Sequence, residues 1–124
     1  MGGKKLFIGK DSMLSHDIKI RIGDAHLIFD LNTKKRINWG KDIIIGKHVW
    51  IGRGVNLLSG AYIPNNCIIG AMAVTSSHFN EKNAIIAGCP AKIIRHNIIW
   101  SHDSQENNYA YFDDCEDQSA LKYL

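Results

Sequence analysis

The chain has 124 residues, 45% of them hydrophobic and only 2 of them proline, which suits one compact domain and leaves too little chain for two. No stretch approaches the roughly 20 apolar residues of a spanning helix, and residues 1–9 lack a signal peptide's apolar run and cleavage site, so a soluble cytoplasmic protein is expected. The cysteines, Cys67, Cys89 and Cys115, are odd in number and show no Cys-x-x-Cys spacing, which argues for free thiols and against a disulfide frame or zinc knuckle. Residues 1–100 carry 14 Lys/Arg against 6 Asp/Glu, a balance of +8, whereas residues 101–124 carry one Lys and six acids, a balance of −5. The chain thus divides into a basic body, 1–100, and an acidic tail, 101–124. A basic body suits an anionic ligand such as a nucleotide cofactor, an acidic sugar or nucleic acid.

From the N-terminus, aliphatic residues recur every six positions at Ile8, Leu14 and Ile20. The next beat comes 25 residues later, so the segment around Asp30 to Gly40 is expected to leave the regular structure as an excursion. The beat then runs without a slip through Ile45, Ile51, Leu57, Ile63, Ile69 and Thr75, and a second ladder of smaller residues lies four positions on at Val49, Val55, Ala61, Cys67 and Ala73. A period of six fits neither the 3.6 of a helix nor the 2 of a strand. It predicts strand-and-bend units, three to a triangular turn, with turns stacked at the spacing of parallel strands, about 4.8 Å. The glycines after the ladder residues, Gly46, Gly52 and Gly70, are expected to give the bends backbone freedom, and inside a helix each would cost about 1 kcal/mol. A second break covers residues 76–83, and apolar residues resume at Ala84-Ile85-Ile86. Beyond Trp100 the pattern ends. The segment 101–117 reads as a polar loop, and residues 118–124 suit a short terminal helix. The total is three to four turns of a parallel β-helix, short enough that association into an oligomer is expected.

The strings Ile45-Gly46-Lys47-His48-Val49-Trp50-Ile51-Gly52, Ile69-Gly70-Ala71-Met72-Ala73-Val74 and Ala87-Gly88-Cys89-Pro90-Ala91-Lys92-Ile93-Ile94-Arg95 resemble the hexapeptide-repeat acyltransferases, which are all-β, single-stranded, left-handed parallel β-helices. Asp24-Ala25-His26, Asp30, Ile37-Asn38 and His48-Val49-Trp50 add a likeness to the O-acetyltransferases of capsular polysaccharides and of sialic acid polymers. The resemblance implies a homotrimer with active sites between subunits, acetyl-CoA as donor and a sugar hydroxyl as acceptor. It places His26 on the family's catalytic histidine and Trp50 on the tryptophan that flanks the reacting groups. Arg53, Ala71, Ser76, Ser77, Lys92 and Arg95 fall along the CoA groove. Two departures stand out: Ser76-Ser77 replaces a common Thr-Lys, and Cys89 stands where an asparagine usually precedes the proline.

The chemistry fits these residue types. A sugar hydroxyl is a weak nucleophile, and an imidazole within hydrogen-bond reach can take its proton, since histidine titrates near neutral pH. His26 is therefore the expected base, with Asp24 or Asp30 orienting its ring. Trp50 lies between two inward positions, so alternation turns it outward, as a wall for a ligand or as a subunit contact. Lys92 and Arg95 could meet CoA phosphates. His48, at a bend, reads as structural or as a support behind the residues of the site. The histidines show no closely spaced pair, so no metal is expected, and neither a recognition helix nor aromatic-basic interleaving points to nucleic acid. The leading expectation is an O-acetyltransferase acting on a surface glycan or its precursor. The alternatives are an acetyltransferase for a nucleotide sugar or small molecule, and a truncated, non-catalytic β-helix module.

Overall fold

The computed structural model describes residues 4–103, and these form a parallel β-helix of three complete coils. The first coil is β1 (Leu6–Ile8), β2 (Met13–Leu14) and β3 (Lys19–Arg21). The second is β4 (Ile43–Ile45), β5 (Trp50–Ile51) and β6 (Asn56–Leu58), and the third is β7 (Tyr62–Ile63), β8 (Ile68–Ile69) and β9 (Val74–Thr75). Equivalent strands stack into the three faces of a prism: β1-β4-β7 on the first, β2-β5-β8 on the second and β3-β6-β9 on the third. No helix of the described residues is long and apolar enough to cross a membrane.

The sixfold ladder sets the register. Ile8 pairs with Ile45 and Ile45 with Ile63; Leu14 pairs with Ile51 and Ile51 with Ile69; Ile20 pairs with Leu57 and Leu57 with Thr75. Both ladders of the second and third coils are buried, from Ile45 and Val49 to Ala73 and Thr75. The first coil has a neighbour on one side only among the described residues. Its ladder side chains Ile8 and Leu14 are consequently 41% and 43% exposed.

The bends correct one expectation. Seven residues with positive φ fall three places after a ladder position: Asp11, Asp17, His48, Gly54, Gly60, Asn66 and Met72. Asp, Asn and Gly are the residues that tolerate this region best. Gly9, Gly46 and Gly52, directly after the ladder residues, are instead required by space. A Cβ on Gly46 would lie 2.5 Å from Asn65 Oδ1, and one on Gly52 would lie 2.8 Å from the Ala71 backbone nitrogen. Successive coils approach too closely there for any side chain.

A fourth coil starts and does not close. His78 bridges in parallel to Tyr62, and β10 (Ile85–Gly88) stacks on β8, but β11 (Ala91–Arg95) turns back antiparallel to β10. The segment 84–95 is therefore one strand of a coil plus a hairpin partner that ends the second face. The terminal helix expected at 118–124 and most of the acidic tail lie outside the described residues.

Candidate active site

β3 ends at Arg21 and β4 begins at Ile43, and the chain between them leaves the prism at the corner joining its third and first faces. The excursion folds back on itself through an antiparallel bridge between Phe29 and Arg36. Its tip is closed by Asp30, whose Oδ1 accepts from the backbone amides of Asn32 at 2.8 Å and Thr33 at 2.7 Å. The amides of Thr33 and Asn32 hold the Asp30 carboxyl below the ordinary carboxylate range. An aspartate reaching amides two and three residues ahead is a common turn-former. That task keeps Asp30 at the loop tip, and the structure does not bring it to His26.

The centre of the excursion is Asn38, which the sequence marks only as part of a motif. Its Oδ1 accepts from the Ile28 amide at 2.9 Å and from Arg36 Nε at 3.3 Å, and its Nδ2 donates to Asp24 Oδ2 at 3.0 Å and to the His26 carbonyl at 2.6 Å. One amide side chain therefore ties both sides of the excursion to the backbone of His26. Asp24 meets Asn38 and not the His26 ring: its carboxylate accepts from the amide and makes no described hydrogen bond to the imidazole. Nothing local in the sequence signals a partner set of which three members lie 10 to 14 residues away.

His26 is exposed and lines a hollow of about 310 Å³ with Arg21, Asp24, Ala25, Leu58 and Ser59. A second hollow of about 340 Å³ shares Asp24, Leu58 and Ser59 and extends to Trp39, Lys41 and Ser76. Of the sequence-predicted site residues, His26, Asp24 and Ser76 therefore meet at one corner, and Ser77 follows directly. Trp50, Arg53, Ala71, Lys92 and Arg95 do not. Trp50 points outward from the second face, 37% exposed, between Met13 and Ile68 in the ladder. Arg53 and Ala71 occupy equivalent bends at the corner between the second and third faces, where the Met72 amide donates to the Arg53 carbonyl. Lys92 and Arg95 lie exposed on β11. In a three-faced prism, the corner carrying His26 stands across from the second face.

His48 is a separate, structural unit. Its ring is buried and stacks on Trp100 with centroids 3.9 Å apart and planes 8° from parallel. Nδ1 meets Asp11 Oδ2 at 2.7 Å, Nε2 meets the Trp100 carbonyl at 3.0 Å, and Trp100 Nε1 donates to the His48 carbonyl at 3.0 Å. His102 Nε2 adds contacts to the Asp11 carbonyl and carboxylate. Asp11, His48 and His102 offer atoms within 4.8 Å of one another that could hold a metal, and they stand at the separations of hydrogen-bonded pairs. The His48 hydrogen bond holds the Asp11 carboxyl below its ordinary value of 3.8. A carboxyl depressed by folding adds stability that is present above the unfolded pKa and lost as pH falls through the folded one. Thermal melts between pH 7 and 3 should therefore show a stability loss setting in below about pH 4, and Asp11→Asn should lower the melting temperature at pH 7 and flatten that acid limb. An unchanged acid limb in the variant would place the acid sensitivity elsewhere.

Residues 42–77 match the bacterial transferase hexapeptide family, six repeats. The chain belongs to the hexapeptide-repeat transferases, and its coil is a left-handed parallel β-helix, against the usual right-handed crossover of parallel strands. It is 52% identical over 96 residues to the polysialic acid O-acetyltransferase of Neisseria meningitidis, covering 77% of this chain and 45% of that protein. It is 45% identical over 94 residues to the polysialic acid O-acetyltransferase of Escherichia coli O1:K1 / APEC, covering 76% of this chain and 30% of that one. The crystal structure of the polysialic acid O-acetyltransferase OatWY superposes with a TM-score of 0.77 at 44% identity, over 93% of this chain and 54% of that one. The chain thus spans about half or less of the length of these relatives.

Proposed function

We propose that this β-helix is the transferring core of an O-acetyltransferase that moves acetyl from acetyl-CoA to a hydroxyl of an anionic surface glycan, with His26 as general base. The observation that carries the reading is the placement of His26: an exposed imidazole on the rim of an open hollow, its backbone carbonyl pinned by Asn38. Similarity to two polysialic acid O-acetyltransferases supports the acceptor class.

The candidate donor residues fit CoA chemistry. Arg53, Lys92 and Arg95 are exposed cations suited to phosphates. The bends at Ala71 and Gly70 carry no bulk that would block a pantetheine chain, and Trp50 offers an outward aromatic wall. When bound, acetyl-CoA supplies the thioester acetyl group. His26 accepts the proton as the acceptor oxygen bonds to the acetyl carbon and the carbon–sulfur bond breaks, then passes that proton to the departing thiolate. The enzyme forms no covalent bond in this scheme.

His26 and the second-face residues stand on opposite sides of one prism, so a single copy cannot bring them together. A ring of three copies, each setting its excursion corner against the second face of the next, unites them in a heterologous, closed interface. The exposed apolar residues of the excursion, Leu27, Ile28, Phe29 and Leu31, supply the contact surface such a ring needs. The cytoplasm, which keeps acetyl-CoA and free thiols such as Cys67 and Cys89, is the compartment we assign.

The test is release of free CoA thiol from acetyl-CoA by the purified protein with polysialic acid, neutral polysaccharides and nucleotide sugars. Polysialic acid should stimulate release several-fold above the acceptor-free rate. Stimulation only by a nucleotide sugar would overturn the acceptor class, and no stimulation together with no acetyl-CoA binding would overturn the activity.

A further inference from the structure

Trp39 is 62% exposed, an unusual position for a large aromatic ring, and yet it is fixed in place. Its Nε1 donates to the Arg36 carbonyl at 3.1 Å, and the Arg36 guanidinium carbon sits 4.4 Å from the ring centroid. Arg36 is held in turn through Nε on Asn38 Oδ1, and the same Asn38 amide binds the His26 carbonyl. The indole, the guanidinium and the candidate base therefore belong to one hydrogen-bonded unit.

We propose that Trp39 and Arg36 form the acceptor platform of this site, an aromatic shelf whose open side stacks on the apolar face of a sugar ring while Lys41 meets its carboxylate and Arg36, across the shelf, draws in the charge of the next sugar of an acidic chain. The inference rests on the acetyltransferase reading and deepens it by assigning the residues that choose an acidic glycan. Three observations carry it. The indole N–H is already bonded to the chain, so the ring offers only its apolar surface, the part that a pyranose C–H face matches. The guanidinium lies over one side of the indole, leaving the opposite side for a ligand. Trp39 and Lys41 line the hollow that shares Asp24, Leu58 and Ser59 with the hollow of His26.

Charge agrees with shape. Lys34, Lys35 and Arg36 follow one another on the excursion and Lys41 closes it, and the five N–H groups of Arg36 are only partly used by Asn38. The hollow's one carboxylate, Asp24, is engaged by Asn38 Nδ2. A guanidinium with unused N–H groups behind a fixed aromatic ring suits a chain of acidic sugars, one stacked on the ring and the next held by its charge. Preorganisation by the Asn38 unit limits the side-chain ordering that binding would otherwise require.

The experiment titrates polysialic acid and, separately, a neutral glucan into the uniformly nitrogen-15-labelled chain. It follows the indole N–H signal of Trp39, assigned by its loss in Trp39→Phe, and repeats the titration with Trp39→Ala and Arg36→Gln. Polysialic acid should move the Trp39 signal and the glucan should not. Trp39→Ala should weaken binding at least tenfold, Trp39→Phe only a few-fold, and Arg36→Gln should reduce both the affinity and its dependence on salt. In turnover the same variants should raise the KM for polysialic acid and leave the KM for acetyl-CoA unchanged. Equal binding of the glucan, an unmoved Trp39 signal, or undiminished affinity in Trp39→Ala would each overturn the platform. So would a fall in oligomer mass on Trp39→Ala, which would make the ring a subunit contact. Loss of binding in Trp39→Ala beside a parent that transfers no acetyl would keep the platform and reject the catalytic reading; intact transfer beside unchanged binding would do the reverse.

Discussion

His26→Ala should lower kcat/KM for acetyl transfer by a factor of about 10²–10⁴, the range a positioned general base supplies, while leaving the melting temperature within about 1 °C of the parent. The two halves of that expectation have separate physical origins. The imidazole is exposed and makes no hydrogen bond among the described residues, so its removal opens no cavity and orphans no partner. The tie to Asn38 runs through the His26 backbone carbonyl, which every substitution keeps. Steady-state kinetics with polysialic acid beside thermal melts make the check. A variant retaining a third or more of parental activity would remove His26 from the reaction. A variant losing activity and stability together would make the histidine a structural residue.

Ile69→Ala should cost about 2–5 kcal/mol, the range for emptying a fully packed aliphatic site, and should lower the melting temperature by roughly 10–30 °C for a domain of this size. Ile69 is completely buried between Ile51 below and Ile86 above, so no neighbouring coil can relax into the space without breaking its own ladder. Ile8→Ala removes the same atoms from the same ladder pattern on the first coil, where the side chain is 41% exposed. It should cost about 1 kcal/mol, because much of the transferred area is already in water. Equal losses in the two variants, measured by urea unfolding, would contradict the stacking order described here.

Most of the prism was legible because its core obeys a volume rule that repeats every six residues. Each of the six ladder positions from Ile45 to Thr75 is buried where the period places it. The bends were less legible because their signal is spread over unlike residues. Asp11, Asp17, His48, Asn66 and Met72 share a positive φ and no common chemistry, whereas the more visible glycines serve close approach between coils. The hairpin of β10 and β11 was hidden because Ile85, Ile86, Ile93 and Ile94 suit a coil or a ladder pair equally well. In the candidate site, the sequence pointed to His26 and Asp24 as residue types and to the excursion as a break in the beat. It marked Asn38 only as part of a motif and not as the hub, because its four partners come together only when the excursion folds back. It also could not place Asp30, whose nearest amides capture it before any imidazole can. The separation of Trp50 from His26 follows from the three faces that the period predicts and from the exit of the excursion between β3 and β4, at the corner across from the face of Trp50.

The stack of His48 on Trp100 changes what kind of object this solenoid is. Repeat proteins touch only their neighbours, and their stability is close to a sum of units that can fray one at a time from either end. Here residues 52 and 91 positions apart in sequence are joined, Trp100 to His48 and His102 to Asp11, so the last part of the described chain is fastened across the outside of the first two coils. Peeling back the first coil must release that fastening, and releasing the fastening uncovers a buried imidazole in the second. The two ends share one fate, which converts a chain of local equilibria into a single cooperative transition. The same feature slows assembly. Loops of 52 and 91 residues must close before the fastening forms, so it is expected to appear last, after the coils it holds are already built.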